Sequence, residues 1–165
     1  MEALILGAQE IEQKIIRIAH QILEDNYDES KIVFGGVTGM GFKVAILVKE
    51  KFEAISNQKI DLVEIVINKR DPLMQPVLIK GPSENLNGGT LILIDDVLNS
   101  GATLLHVMKP FIDIRLKKIS TVVLVDRSHK KFPVHIDYVG LQLATTLAEH
   151  IEVRSEKEGL AAYLS

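Results

Sequence analysis

Residues Leu91 to Thr103 constrain this chain more than any other stretch; they read Leu-Ile-Leu-Ile-Asp-Asp-Val-Leu-Asn-Ser-Gly-Ala-Thr. Four consecutive aliphatic side chains suit a strand buried on both faces, as in the middle of a parallel sheet. Asp95 and Asp96 then fall at the carboxyl end of that strand, where open α/β sheets bind ligands. Asn99, Ser100, Gly101, Ala102 and Thr103 follow as a small polar turn into an apolar helical run of Leu104, Leu105, Val107 and Met108. Backbone N–H groups at a helix start, with the Ser100 and Thr103 hydroxyls, make a phosphate cradle. The two carboxylates suit sugar hydroxyls and a divalent cation instead. An acid at a strand end is common by itself; the acid pair and the small-residue turn at this offset together read as a site for a ribose and its 5′-phosphate. No Gly-x-x-x-x-Gly-Lys-Ser/Thr run occurs, which counts against a P-loop nucleotidase, and no Gly-x-Gly-x-x-Gly follows a strand.

The 165 residues are 47% hydrophobic, enough for one domain, residues 1–165, with a substantial core. A net charge of −3 describes an ordinary protein rather than a dedicated nucleic-acid binder, although a local basic patch escapes such a count. There is no cysteine, hence no disulfide, zinc–thiolate site or thiol nucleophile. No signal peptide and no apolar run of membrane-spanning length is evident, so a cytoplasmic location is expected.

Apolar residues Ile11, Ile15, Ile18, Ala19, Ile22 and Leu23 predict a helix over about 9–26. Lys31 to Phe34 reads as a strand, followed by Gly35-Gly36-Val37-Thr38-Gly39-Met40-Gly41 and a helix from Phe42 to about Ile55. Four glycines in seven residues are read as conformational, letting backbone N–H groups approach a second anion. After a strand over 61–67, the segment from Asn68 to Gly89 is long enough for a lid, its Pro76 to Lys80 portion a short β-arm, with Lys69, Arg70 and Lys80 as candidate phosphate contacts. Ile119 to Val125 is a further strand delivering Asp126 and Arg127 at its end, and strands are also expected over 137–143 and 151–153. This alternation predicts a mostly parallel sheet with helices on both faces.

The thirteen residues around Asp95 resemble the motif of the type I phosphoribosyltransferases, which binds 5-phosphoribosyl 1-diphosphate (PRPP): four hydrophobic residues, two acids, and a loop ending in Gly-x-Thr/Ser. Arg17 to Asn26 and Val125 to Gly140 further resemble the bacterial pyrimidine operon attenuation regulators that are also uracil phosphoribosyltransferases, and Val63-Glu64-Ile65 and Ala162-Tyr163-Leu164 fall where that family has similar residues. The resemblance implies an α/β fold with a mostly parallel sheet, a small hood and a flexible β-arm, assembled as a homodimer or larger oligomer. It gives the catalytic place to Asp95 and Asp96, holding the ribose hydroxyls, and Asn99, Ser100, Gly101, Ala102 and Thr103 to the 5′-phosphate. Gly36, Val37, Thr38, Gly39, Met40 and Gly41 become the pyrophosphate loop, with Lys69 and Arg70 in the flexible loop. Asp126 and Arg127 lie near pyrophosphate or magnesium, and Tyr138, Val139 and Gly140 offer main-chain groups and apolar surface to the base. Mg2+ is expected to be bound mainly through PRPP, with no direct protein ligand set assigned.

Three departures shape the expectation. Met40 stands where the family often carries an arginine, so transfer is expected to be slow or absent unless Lys69 or Arg70 supplies the charge. Asn99 stands where 6-oxopurine transferases carry an aspartate, and an amide cannot accept the purine's proton, which leaves uracil or a related pyrimidine. The 68–89 segment is shorter than the family's loop and lacks its Tyr-Arg-Asp-Asp start. Two alternatives stand beside the transferase: an RNA-binding attenuation regulator using Lys14, Arg17 and His20 with Lys130, Lys131 and His135, and a PRPP or nucleotide sensor without turnover.

Overall fold

The computed structural model describes residues 2–165. A six-stranded sheet runs in the order β4-β3-β2-β5-β6-β7. Its strands are β2 (Ile32–Val37), β3 (Ile60–Val66), β4 (Leu78–Lys80), β5 (Thr90–Leu98), β6 (Lys118–Asp126) and β7 (Tyr138–Gln142). All neighbours pair in parallel except β4, which returns antiparallel along β3 through Glu64↔Lys80 and Val66↔Leu78. The expected β-arm is thus the sheet's edge strand. β5 is central and buried throughout its aliphatic run, Leu91 to Ile94, as a strand covered on both faces must be.

Helices α1 (Ala8–Asn26) and α2 (Met40–Ile55) cover one face. The predicted stripe of α1, Ile11, Ile15, Ile18, Ala19 and Ile22, is buried, and Phe34 of β2 meets Phe52 of α2 edge to face at 5.7 Å. Burying such side chains is worth roughly 1.5–3 kcal/mol each, so this face supplies much of the folding energy. The other face is closed by the short α3 (Ala102–Val107) and a 3-10 turn at Lys109–Phe111, through Leu104, Val107 and Phe111 packed on Leu91 and Leu93. Pro110 sits at the start of that turn, where its missing N–H costs nothing.

A second sheet, of which only the strand over 151–153 was expected from the residues, combines the two ends of the chain. β1 (Ala3–Leu6), β8 (Ile151–Glu156) and β9 (Gly159–Leu164) form an antiparallel sheet in the order β1-β9-β8. This is the hood. The terminal stretch Gly159 to Leu164 had offered no strand signal because Ala161 and Ala162 are weak strand formers; pairing with β1 and β8 overrides that preference.

Candidate active site

The site forms where the pairing of β5 becomes one-sided. Its register with β2 ends at Gly36↔Ile94, while its register with β6 continues through Asp95↔Val123 to Leu98↔Asp126. Asp95 is therefore the first β5 residue without a β2 neighbour, and the acid pair lies inside the strand rather than at its last residue. The first turn of α2 fills the space left by β2. A Cβ on Gly41 would stand 2.6 Å from Asp95 Oδ1 and 3.0 Å from Asp95 Cα, so this glycine is required for close approach.

That corrects one expectation about the glycine-rich run. Gly36 lies within β2, where a Cβ would meet Ala45 Cβ and the Phe42 Cα at 2.8 Å; a Cβ on Gly35 would meet Ile65 Cδ1 at 2.7 Å. These glycines, like Gly41, serve packing. Gly39 alone is conformational, with φ 84° and ψ −130° and open space around its Cβ. The turn itself is Thr38-Gly39, whose Thr38 Oγ1 donates to Glu64 Oε1 at 3.0 Å. Met40 opens the helix and packs against the core on the α1–α2 face.

Asp95 is almost wholly buried. Its Oδ1 accepts from the Asp96 backbone N–H at 2.9 Å and from Lys69 Nζ at 2.8 Å, and Lys69 also lies 3.3 Å from Asp96 Oδ1. Burial, and next the adjacent Asp96 carboxylate, push the Asp95 carboxyl up to about 8, against the pull of Lys69. Burial alone would lower the Lys69 ammonium; the two aspartates outweigh it and raise it. Lys69 was expected at a phosphate; its ammonium instead rests on the acid pair. Arg70 is exposed.

Beyond Leu98 the chain turns through Asn99 and Ser100 to Gly101, which caps α3 in the left-handed conformation, φ 87° and ψ −1°. Ser100 Oγ accepts from Ala102 N at 3.2 Å, and the Ser100 carbonyl accepts from Lys131 and Phe132 N–H at 2.8 and 3.1 Å. Asp95 and residues 97–104 enclose a small cavity of about 40 Å³. It adjoins a cleft of about 240 Å³ lined by Lys69, Asp95, Asp96, Val97, Asn99 and Thr103 on one side and by His150, Ile151 and Glu152 on the other. His150 and Glu152 come from the hood and were not anticipated. The alternation of Glu152 between buried Ile151 and Val153 marked it as facing outward, but only the fold shows what it faces.

The remaining candidates are placed differently. Asp126 Oδ1 accepts from Ser128 N at 2.7 Å, in a turn that puts Ser128 at φ 59°, an uncommon conformation for a non-glycine residue. The buried Arg127 donates to Asn99 Oδ1 at 2.7 Å, Thr145 Oγ1 at 3.0 Å, the Thr146 carbonyl at 3.2 Å and the Glu149 carbonyl. It ties the turn after β5 to the segment leading into the hood. Tyr138, Val139 and Gly140 lie within β7. The Tyr138 hydroxyl donates to Asp25 Oδ2 at 2.7 Å, and the Val139 and Gly140 carbonyls accept from Arg17 at 3.1 and 2.7 Å. These groups are engaged by α1, and neither they nor Arg127 lines the cleft. Arg17, expected on a basic face, seals this sheet edge. Lys130, Lys131 and His135 are exposed.

A larger depression of about 440 Å³ lies between the β4 arm and the Lys109–Pro110 turn. It lacks converging titratable groups, so the chemistry belongs to the β5 site. Among the described residues no helix is long and apolar enough to cross a membrane.

Comparison with known proteins agrees with this geometry. A family model described as "Phosphoribosyl transferase domain" matches residues 4–156. Among curated relatives, "Bifunctional protein PyrR" of Mannheimia succiniciproducens is 32% identical, covering 95% of this chain and 93% of its own. The protein of the same name from Clostridioides difficile is 36% identical, covering 92% and 90%. Among solved structures, the hypoxanthine phosphoribosyltransferase of Trypanosoma cruzi superposes with a TM-score of 0.75 at 16% identity, over 96% of this chain and 94% of that one. A hypoxanthine-guanine phosphoribosyltransferase of Bacillus anthracis gives 0.75 at 21%, over 99% and 97%. At such identities these structures speak for the fold.

Proposed function

Because the chain belongs to the phosphoribosyl transferase domain family, we propose that it binds PRPP, as one domain acting in the cytoplasm, and transfers its phosphoribosyl group to uracil or a related pyrimidine. The observation that carries the reading is the continuity of three features along β5 and α3: the acid pair, the 40 Å³ cavity and the larger cleft. The cavity's backbone turn suits the 5-phosphate, and Asp95 and Asp96 suit the ribose hydroxyls. A ring nitrogen of the base then bonds to the anomeric carbon as the bond to pyrophosphate breaks. The pyrophosphate leaves with the electron pair, and the ring N–H proton passes to solvent. The transition state resembles an oxocarbenium ion, so positioning, exclusion of water and stabilisation of the departing charge provide the acceleration.

The acid pair fits a divalent cation: a positive group, the Lys69 ammonium, already rests on both carboxylates. Asp95 and Asp96 are the side chains that would meet Mg2+. With two carboxyl groups from the chain, the cation's remaining ligands would be substrate and water oxygens. Held there by Asp95 and Asp96, magnesium would supply charge neutralisation for the leaving pyrophosphate. When substrate takes the acid pair, Lys69 is released next to the leaving group, so it replaces the charge that Met40 does not carry. A homodimer or larger oligomer is part of the proposal.

Incubation with Mg2+, PRPP and uracil is expected to release pyrophosphate and form UMP, and Asp95→Ala with Asp96→Ala to abolish PRPP binding. No turnover with any common base removes the transferase and leaves the sensor reading; unchanged PRPP affinity in the double variant removes the site.

A second reading rests on the relatives' name, "Bifunctional", and on the exposed Lys130, Lys131 and His135: an RNA-binding regulator of pyrimidine genes. A gel shift against the leader RNA of those genes tests it, and absence of binding at low salt ends it.

A further inference from the structure

We propose that Lys69 is a latch: resting on Asp95 and Asp96, it holds the acid pair closed, so that a divalent cation and a sugar phosphate bind cooperatively by displacing it together. The inference deepens the transferase reading of the cleft and rests on it. Lys69 Nζ lies 2.8 Å from Asp95 Oδ1 and 3.3 Å from Asp96 Oδ1, so a single charge meets both carboxylates. That is the place a cation would take. The chain behind Lys69 sets this aim. Ile67, just beyond β3, is buried, and Asn68 Oδ1 accepts from the Arg70 and Asp71 N–H groups at 3.0 and 3.1 Å. The Asp71 carbonyl in turn accepts from Met74 N–H at 3.1 Å. Lys69 is therefore held between a core residue and a closed turn, and its side chain crosses to β5 while Arg70 stays in solvent.

Separation costs the two partners differently. The Lys69 side chain is 37% exposed and that of Asp95 only 4%. The ammonium can return to water, whereas the buried carboxyl would be left without its partner. The latch therefore opens when another cation or donor takes over the carboxylates, and stays closed otherwise. Its opening is needed once. The first ligand's apparent affinity is lowered by the small fraction of open molecules, and the second ligand finds the pair already open. Lys69 thus makes the acid pair unresponsive to a free cation and responsive to a cation that arrives with its sugar phosphate. A cation that also touches the sugar adds coupling of its own, and only the part due to Lys69 disappears with that side chain.

Calorimetric titration of the whole protein with Mn2+, alone and with saturating ribose 5-phosphate, tests this. In wild type, ribose 5-phosphate is expected to tighten Mn2+ binding by at least about tenfold. In Lys69→Met, Mn2+ alone is expected to bind at least about tenfold more tightly than to wild type, and the further gain from ribose 5-phosphate to shrink by the same factor. Mn2+ affinity in Lys69→Met within twofold of wild type, or weaker, overturns the proposal. A second measurement follows displacement itself: acylation of lysine amines, read by mass spectrometry against the exposed Lys131. Lys69 is expected to react slowly in the free protein, at least threefold faster with Mn2+ and ribose 5-phosphate, and fast without ligand in the double variant Asp95→Asn, Asp96→Asn. Equal labelling of Lys69 in that variant and in wild type also overturns the latch, and labelling decides alone should Lys69→Met not fold. If wild type binds Mn2+ with ribose 5-phosphate but Lys69→Met changes nothing, this inference falls and the phosphoribosyl site stands; if neither protein binds either ligand, both fall.

Discussion

The two strand-to-helix turns beside the acid pair look alike and are built for different ends. Both follow parallel strands that neighbour each other, and both cap a helix with a glycine at positive φ, Gly39 at 84° and Gly101 at 87°. The turn after β2 leads into a 16-residue helix that packs on the core, and its glycines let that helix press against β2 and Asp95. The turn after β5 leads into a six-residue helix and encloses a small cavity. Composition therefore does not reveal what a glycine turn is for. The first brings main chain close to a carboxylate, and the second leaves room for an anion.

The largest effect is expected where the first turn touches the acids. In Gly41→Val the added side chain meets Asp95, so α2 or β5 must move. Overpacking of this kind costs about 1–3 kcal/mol, and PRPP affinity should fall by at least a hundredfold because the acid pair is displaced. Calorimetric titration checks the binding and thermal melting the stability. Binding within threefold of wild type would show that the two turns are not coupled through Asp95.

A second perturbation separates charge from shape. Burial and the neighbouring Asp96 push the folded Asp95 carboxyl up to about 8 from an ordinary 3.8, so between these values the native state is expected to hold a proton that the unfolded chain has released. Stability then falls as pH rises through this window, by up to about 1.4 kcal/mol per pH unit. Asp95→Asn removes that dependence. The variant is expected to melt above wild type at pH 8–9 and close to it at pH 4, while losing at least tenfold in PRPP affinity. Parallel pH dependences of melting in the two proteins would place the proton elsewhere.

What the chain disclosed beforehand follows the range of the forces involved. The stripe of α1 and the aliphatic run of β5 were legible because burial imposes a local period. The acid pair and the Gly101 turn were legible because strand, carboxylates and turn are contiguous. Lys69 on Asp95 spans 26 residues and Arg127 on Asn99 spans 28, and no periodicity carries such pairings. At Tyr138, Val139 and Gly140 the strand was visible, but the engagement of their polar groups by Asp25 and Arg17 was not, because it depends on where α1 packs. Of the hood, implied by the resemblance, only the strand over 151–153 was legible in the residues; β1 and β9 were not, because their pairing joins opposite ends of the chain.

The smallest effects, from alanine at each capping glycine, compare the turns directly. Gly39 lies at φ 84° and ψ −130°, a region that side chains rarely occupy, yet its Cβ would face open space; Gly39→Ala should cost about 1–3 kcal/mol from backbone strain alone. Gly101 lies in the left-handed helical region, where alanine costs about 1–2 kcal/mol, but its Cβ would stand 2.6 Å from Val134 Cγ2. That methyl can shift, so the damage should centre on the cavity wall. Ribose 5-phosphate keeps the 5-phosphate of PRPP and lacks the pyrophosphate. Gly101→Ala is therefore expected to weaken both ligands several-fold, and Gly39→Ala to weaken PRPP while sparing ribose 5-phosphate. Equal losses of both ligands in both variants would mean that the turns act as one site, and the division of labour drawn from their geometry would be wrong.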